Sequence, residues 1–259
     1  MNKKKLSPWL WLAAALAYAF LYIPLIIVIV YSFNDSKLNA EWVGFTFKWY
    51  EVLFNDGPML QAAWNSLVIA LFTSVFATIF GTMAGYAMYK YKLRVLPLLV
   101  LTPLALPEIL MGVSLLIFFV MLNLTLGMVS ITLAHISFCI GFVAIVVRSR
   151  LEGMDESLVE AARDLGATQW QAFRLVTLPL IMPGVIAGAL MAFTLSIDDF
   201  VITFFTAGAG ASTLPLQIYS MIKIAVTPEV NAISTLLMLL TLALILASSK
   251  LAPGAFKAN

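Results

Sequence analysis

Several runs of about 20 apolar residues occur along this chain, and each is long enough to cross a hydrocarbon core roughly 30 Å thick as a helix. Such runs leave little polar surface: 62% of the 259 residues are hydrophobic and 11% are charged, against about 25% charged residues in an ordinary soluble domain. A water-soluble fold is therefore excluded. We expect an all-α, polytopic membrane protein that contacts lipid along most of its surface.

Six membrane spans are predicted within a single transmembrane domain that occupies residues 1–259. The first apolar run is too long for the core of a signal peptide, so it is interpreted as a retained span. An even number of spans places both ends of the chain on one side of the membrane. The predicted spans are 8–33, 64–88, 96–122, 128–147, 184–206 and 230–249.

Basic residues are distributed unequally between the two sets of connecting segments. Lys and Arg in short flanking loops are retained on the cytoplasmic face, so this bias predicts cytoplasmic N- and C-termini. The net charge of +2 indicates no nucleic-acid partner. The predicted inner segments hold Lys3, Lys4, Lys5, Lys90, Lys92, Arg94, Arg148, Arg150, Arg163, Arg174, Lys250 and Lys257, whereas the outer segments hold Lys37, Lys48 and Lys223.

The two longer outer segments differ in composition. Segment 34–63 is rich in aromatic residues, which is typical of a segment at the membrane interface. Segment 207–228 is too short and too interrupted to span the membrane, so we expect a re-entrant or surface helix there.

The inner segment 148–183 contains the signals of a helical hairpin. Ser157 and Glu160 fit a capping box that starts one helix, and Gly166 can adopt the left-handed conformation that ends it. A second capping box, Thr168-Gln169-Trp170-Gln171, starts another helix, which Leu178-Pro179 is predicted to stop. Helical periodicity alone leaves two interpretations open: the hairpin packs under the bundle, or it enters a groove on a partner protein.

A sequence signature favours the second interpretation. Glu160-Ala161-Ala162, three residues, Gly166, nine residues and then Val176-Thr177-Leu178-Pro179 resemble the EAA loop of permeases in ATP-binding-cassette importers. The resemblance implies a type I importer permease fold, in which this loop docks on an ATPase subunit and transmits its closure to the membrane helices. The chain has no P-loop, so ATP and Mg are expected on a separate polypeptide and no cofactor on this one.

Further short blocks resemble the permeases of spermidine/putrescine importers. The resemblance implies uptake of a polyamine across a bacterial inner membrane by alternating access, with no catalytic residue in this chain. It also implies three kinds of partner: a second permease, two ATP-binding subunits and a periplasmic substrate-binding protein. The blocks are 21–24, 31–34, 44–46 with 49–50, 193–196 with 198–199, and 228–232.

Three acidic residues fall inside predicted spans: Glu108, Asp198 and Asp199. An ionised carboxylate at mid-bilayer costs on the order of 3 kcal/mol, so each is expected to face a cavity or a partner. No basic residue lies at a similar depth, which favours a cationic solute as the partner. Pro103 and Pro107 are expected to kink the span before Glu108.

Alternative roles for these residues remain open. Adjacent aspartates point about 100° apart on a helix, so one can face the pathway while the other caps a bend or bonds a partner permease. His135 is interpreted as a hydrogen-bonded helix contact, and with no second histidine a metal site has no support. If the acids do not bind a polyamine, two other functions are open. The chain would be an importer permease for another small solute, or an ion-coupled secondary transporter whose acids bind protons or sodium.

Overall fold

The computed structural model describes residues 7–36, 41–91, 95–225 and 227–251, and the regular elements in these ranges are helices. In chain order they are α1 (Pro8–Tyr31), α2 (Lys48–Asn55), α3 (Gly57–Tyr91), α4 (Val95–Ala105), α5 (Glu108–Met121), α6 (Met128–Glu152), α7 (Ser157–Asp164), α8 (Gln169–Ala172), a π turn (Phe173–Thr177), α9 (Leu178–Ile197), α10 (Val201–Thr206), α11 (Leu214–Ile224) and α12 (Pro228–Leu251). Seven basic residues of the charge pattern lie outside the described residues: Lys3, Lys4, Lys5, Lys37, Lys92, Arg94 and Lys257.

Four stretches of helix are long and apolar enough to cross a membrane: α1, α3, α6 and the continuous run Gln169–Ile197. The pair α4 and α5 adds a fifth if it is counted as one span, although its two halves meet at 108°. α12 contributes a shorter apolar stretch, Pro228–Ala243. The all-α membrane fold is confirmed, while the count of six and the cytoplasmic position of the termini stay predictions.

The chain divides into two compact units, 1–60 with 218–240 and 61–217 with 241–259. The prediction of one domain over the whole chain stays a prediction. In the first unit, the backbone after α1 turns back on itself through an isolated antiparallel bridge between Asn34 and Phe45. The Phe33 ring stacks on that of Phe45 with centroids 5.1 Å apart. The aromatic residues of this segment therefore pack on one another as well as facing outward.

The second unit is organised around α6, which supplies much of its buried apolar core. α4, α9 and α10 pack against α6, and α5 packs against α10. α3 reaches α6 through small residues: a Cβ added at Gly85 would lie 2.7 Å from the carbonyl oxygen of Ala144. This packing places α5, α6, α9 and α10 around the three acidic residues.

The predicted stop at Leu178-Pro179 is wrong. The helix that starts at Gln169 continues through the π turn into α9, with Pro179 in the first turn of α9. Proline lacks an amide, but a π turn already shifts the hydrogen-bond register by one residue, so the missing donor does not end the helix.

The predicted span 184–206 is also wrong in its bounds and its continuity. Its helix begins well before Gly184 and ends at Ile197, and a separate short helix, α10, starts at Val201. No glycine or proline marks the break at 198–200. The cause is a side-chain network, described below, that satisfies backbone and polar groups at the break.

Candidate functional site

The break between α9 and α10 carries the two adjacent aspartates. Asp198 is the C-cap residue of α9, and its amide makes a long bond of 3.4 Å to the carbonyl of Thr194. The Asp198 residue is exposed in this chain. Its carboxylate thus stands at a helix end, where the backbone no longer follows one continuous helix.

Asp199 has a different environment, because its carboxylate caps α10. Its Oδ1 atom accepts a hydrogen bond of 2.8 Å from the amide of Thr203 and another of 2.9 Å from the Thr203 hydroxyl. A carboxylate that accepts from an amide in the first turn satisfies one of the donors that a helix start leaves free. Of the two aspartates, Asp199 is therefore the one that caps the bend.

His135 of α6 fastens this cap from the side. Its Nδ1 lies 2.7 Å from the Ser196 hydroxyl, and its Nε2 lies 2.9 Å from the Thr203 hydroxyl and 3.2 Å from Oδ1 of Asp199. The His135 side chain is 2% exposed and the Asp199 side chain 7% exposed. The interpretation of His135 as a hydrogen-bonded helix contact is confirmed.

Glu108 approaches the same break from a second interruption. It is the first residue of α5, where the chain turns by 108° after Pro107, so the predicted kink is confirmed. Glu108 is exposed and lies within electrostatic range of Asp198. Glu108 and Asp198 thus stand at two helix breaks, close enough for their charges to interact, whereas Asp199 faces His135.

Sequence reasoning missed Ser196 and Thr203, which are the hydrogen-bonding partners of His135. Their only signal is spacing: the two hydroxyls flank the aspartates, three residues before and four residues after Asp199. The described residues contain no group of three or more His, Cys, Asp or Glu side chains placed to hold a metal ion. The network is built for hydrogen bonding.

The EAA signature lies in a helical hairpin, as its glycine and capping signals predict. α7 and α8 are joined by a turn in which Gly166 has φ of +89°, a left-handed conformation that favours glycine. Thr168 and Gln171 form the predicted capping box, with bonds of 2.8 and 3.3 Å.

The capping box predicted at Ser157 and Glu160 is wrong. The N-cap of α7 is Glu156, without a side-chain cap. Instead, Asp155 accepts a hydrogen bond of 3.0 Å from the Ser157 amide. A hydrogen bond donated by the Ser157 side chain, together with the bond from the Ser157 amide, lowers the pKa of the Asp155 carboxyl. Asp155, two positions before Ser157, satisfies the helix start, so Ser157 does not fill that role.

The hairpin has apolar side chains that the described part of the chain leaves largely exposed. The exposed fractions are 47% for Leu158, 90% for Leu165, 67% for Trp170 and 70% for Leu175. Glu160, Ala161, Gly166 and Pro179 are exposed, and Ala162 and Leu178 are partly buried. The hydroxyl of Tyr89, at the end of α3, donates to Glu156 beside the hairpin.

These features are those expected of a membrane permease: helices long enough to cross a membrane, a helical hairpin continuous with one of them, and acids at helix breaks. Residues 77–253 match the family model described as the binding-protein-dependent transport system inner membrane component. The chain belongs to this family, and it is a multi-pass inner-membrane protein.

Curated relatives agree with this assignment and with the resemblance seen in the sequence. The chain is 45% identical over 234 residues to the spermidine/putrescine transport system permease protein PotC of Escherichia coli strain K12, covering 89% of both chains. It is 42% identical over 242 residues to the putrescine transport system permease protein PotI of the same strain, covering 90% of this chain and 86% of the relative.

Solved structures share the fold at low identity. A chain of a bacterial alginate ABC transporter, in complex with its alginate-bound periplasmic protein, superposes with a TM-score of 0.71 at 16% identity, covering 94% of both chains. A chain of the inward-facing MetNI methionine ABC transporter gives 0.65 at 20% identity, covering 82% of this chain and all of that one. The expected importer permease fold is confirmed.

Proposed function

We propose that this chain is the permease subunit of an ATP-driven importer that carries polyamines across the bacterial inner membrane by alternating access. By their names, the PotC and PotI relatives are permeases of spermidine/putrescine and putrescine transport systems. The observation that carries the proposal is the pair of exposed acids, Asp198 and Glu108, at two helix breaks in the membrane part of the chain.

The chemistry of these acids suits a linear polyamine. An ammonium group is attracted by a carboxylate, and the attraction is stronger where water is partly excluded. Among the described residues, Arg148 pairs with Glu152 and His135 hydrogen-bonds to Asp199, and neither contact involves Asp198 or Glu108. In the proposed function, Asp198 and Glu108 contact successive ammonium groups, and Asp199 contributes its negative charge from behind the break.

Energy for transport comes from partner subunits in this proposal. The permease pairs with a second permease, and two ATP-binding subunits bind ATP and Mg beneath the membrane. A periplasmic binding protein delivers the solute. The exposed apolar side chains of the hairpin, Leu165 and Trp170 among them, are suited to enter a groove on the ATP-binding subunit.

The continuous helix from Gln169 to Ile197 supplies a mechanical link between that hairpin and Asp198. Movement of the hairpin at one end of a rigid helix displaces the C-cap aspartate at the other. ATP-driven closure of the partner subunits would thereby reach the acids that contact solute.

The test uses the complete importer reconstituted in proteoliposomes, with uptake of labelled spermidine and putrescine measured at saturating binding protein. We expect uptake that requires ATP on the side of the membrane that carries the ATP-binding subunits and that persists without a proton gradient. Asp198→Asn should reduce uptake by roughly tenfold, the effect of about 1.4 kcal/mol. Glu152→Gln, an acid-to-amide change at the far end of α6, is the matched control and should retain wild-type uptake. Uptake that depends on the proton gradient alone would support a secondary transporter and refute the proposal.

A further inference from the structure

We propose that His135 is a positioning residue that clasps the two helices on either side of the break and thereby fixes the direction in which Asp198 is presented. The inference rests on the proposed function only for the identity of the solute. Its structural content concerns three helices of one compact unit, α6, α9 and α10.

The imidazole ring reaches both sides of the break at once. Nδ1 contacts Ser196, in the last turn of α9, at 2.7 Å, and Nε2 contacts Thr203, in the first turn of α10, at 2.9 Å. Asp198 lies between these two residues. A single rigid ring from α6 therefore sets the separation of the two helix ends that flank Asp198.

The hydrogen positions in the network are mutually consistent. The Thr203 hydroxyl donates its only hydrogen to Asp199, so its oxygen accepts from His135. Nε2 must therefore carry a hydrogen, which also faces the Asp199 carboxylate. In the neutral ring Nδ1 is then an acceptor, and the Ser196 hydroxyl donates to it. Each group has a partner, which is what a buried polar network requires.

Burial makes this clasp different from a surface contact. Ser196 is 4% exposed and Thr203 is fully buried, as is the His135 ring at 2%. Water has little access to replace a lost partner, so removal of the ring leaves buried polar groups unsatisfied. The two aspartates consequently have distinct roles: Asp199 is held inside the clasp, while the neighbouring Asp198 is directed outward.

The experiment measures the mobility of the break directly and needs no solute. A nitroxide label is attached to Asp198→Cys in a Cys139→Ala background within the assembled importer, and its spectrum is recorded. Cys139 is the one cysteine in the sequence and is buried, so its replacement leaves position 198 as the thiol of this chain that takes the label. Loss of one net hydrogen bond corresponds to about a fivefold change in the ratio of the mobile to the immobile state of the break. We expect His135→Phe to raise the mobile fraction of the spectrum by about that factor.

Two further variants separate the clasp from general destabilisation. His135→Gln places an amide nitrogen near the position of Nε2 and should restore much of the immobile spectrum. Ser130→Ala is the matched control, because Ser130 is also buried on α6 and donates to the Thr206 carbonyl at 2.8 Å, away from the break. It should leave the mobile fraction unchanged. Equal spectra for wild type and His135→Phe, or equal effects of His135→Phe and Ser130→Ala, would overturn the inference.

A double variant tests whether His135 and Asp199 act as one unit. His135→Phe combined with Asp199→Asn should give the same mobile fraction as either change alone, since each breaks the same clasp. Additive effects would contradict a shared role. Failure of the wild-type importer to take up spermidine or putrescine would refute the proposed function, whereas these spectra would still decide the role of His135.

Discussion

The amide of Leu178 donates a hydrogen bond to the carbonyl oxygen of Phe173, five residues earlier, so one turn of the helix between the hairpin and the membrane has π geometry. A π turn holds one residue more than the equivalent α-helical turn. The rotational position of α8 relative to α9 therefore depends on a single residue in Phe173–Thr177.

Deletion of Arg174 should convert the π turn into an α-helical turn and rotate the hairpin by about 100° relative to α9. We expect ATP-driven uptake to fall by roughly tenfold or more, within the range that a coupling free energy of about 1–3 kcal/mol allows. Uptake and ATPase activity of the reconstituted importer are measured together. ATPase activity should persist while uptake falls, so that less solute is carried for each ATP hydrolysed.

Arg174→Ala is the control for this deletion, because it removes the same exposed basic side chain and keeps the number of residues. It should retain most of the uptake. If the deletion and the substitution behave alike, the register of the π turn has no role in coupling.

Replacement of Gly166 should impair transport through backbone strain. A Cβ added there would have no atom within 4 Å, so Gly166→Ala introduces no clash. Its φ of +89° nevertheless costs a residue with a side chain about 1–2 kcal/mol. We expect reduced uptake and reduced binding-protein-stimulated ATPase activity, with a larger loss for Gly166→Leu.

Gly153 provides the comparison at the other end of the same inner segment. Its φ is −93°, which any residue tolerates, and its nearest atoms are at 3.8 and 3.9 Å. Gly153→Ala should therefore match wild type in both measurements. Wild-type rates in a well-expressed Gly166→Leu importer would show that the left-handed turn is dispensable.

Features with a local cause were predictable from the sequence. Apolar runs located the membrane helices, Gly166 located the turn of the hairpin, and Pro103 with Pro107 located the bend before Glu108. Each depends on residues that are close in the chain, so a single sequence contains the necessary information.

Features whose cause lies far away in the chain were not predictable from the sequence. The break at Asp198 depends on His135, which lies 61 residues before Ser196 in the sequence. Likewise, Pro179 continues a helix because the hydrogen-bond register has already changed in the preceding π turn. The residue types in that turn do not predict this change. Hydrogen bonds that cross between helices decide such points, and helical periodicity does not report them.

Asn34→Ala should loosen the segment that follows α1. Asn34 is fully buried, its Nδ2 donates to the Glu41 carbonyl at 2.7 Å, and its Oδ1 accepts from the Val43 amide at 2.9 Å. Each lost bond costs about 1 kcal/mol. Hydrogen exchange should therefore become faster in peptides covering residues 31–47, where amides of Asp35 and Thr46 are bonded at 2.9 and 2.7 Å.

Asn55→Ala is the matched change, because its amide donates to the Glu51 carbonyl at 2.7 Å in an exposed position. Water replaces that bond when it is lost, so exchange in 31–47 should stay at the wild-type rate. Equal exchange in the two variants would mean that the Asn34 side chain does not hold this segment together.

Gly85→Ala should destabilise the contact between α3 and α6, against the ordinary preference of helices for alanine. Alanine is favoured over glycine by about 1 kcal/mol in a helix interior. However, the added Cβ would lie 2.7 Å from the Ala144 carbonyl oxygen and 3.3 Å from the Val147 Cβ, and the backbone atom cannot swing aside as a side chain does. Overpacking of this kind costs about 1–3 kcal/mol, so repulsion should exceed the gain in propensity. We expect the detergent-solubilised importer to lose its monodisperse peak at a temperature about 2–8 °C lower. At Gly57, by contrast, an added Cβ meets nothing within 4 Å, so Gly57→Ala should melt at the wild-type temperature or slightly above it. A Gly85→Ala importer as stable as the Gly57→Ala one would show that α3 and α6 are not held at this close approach.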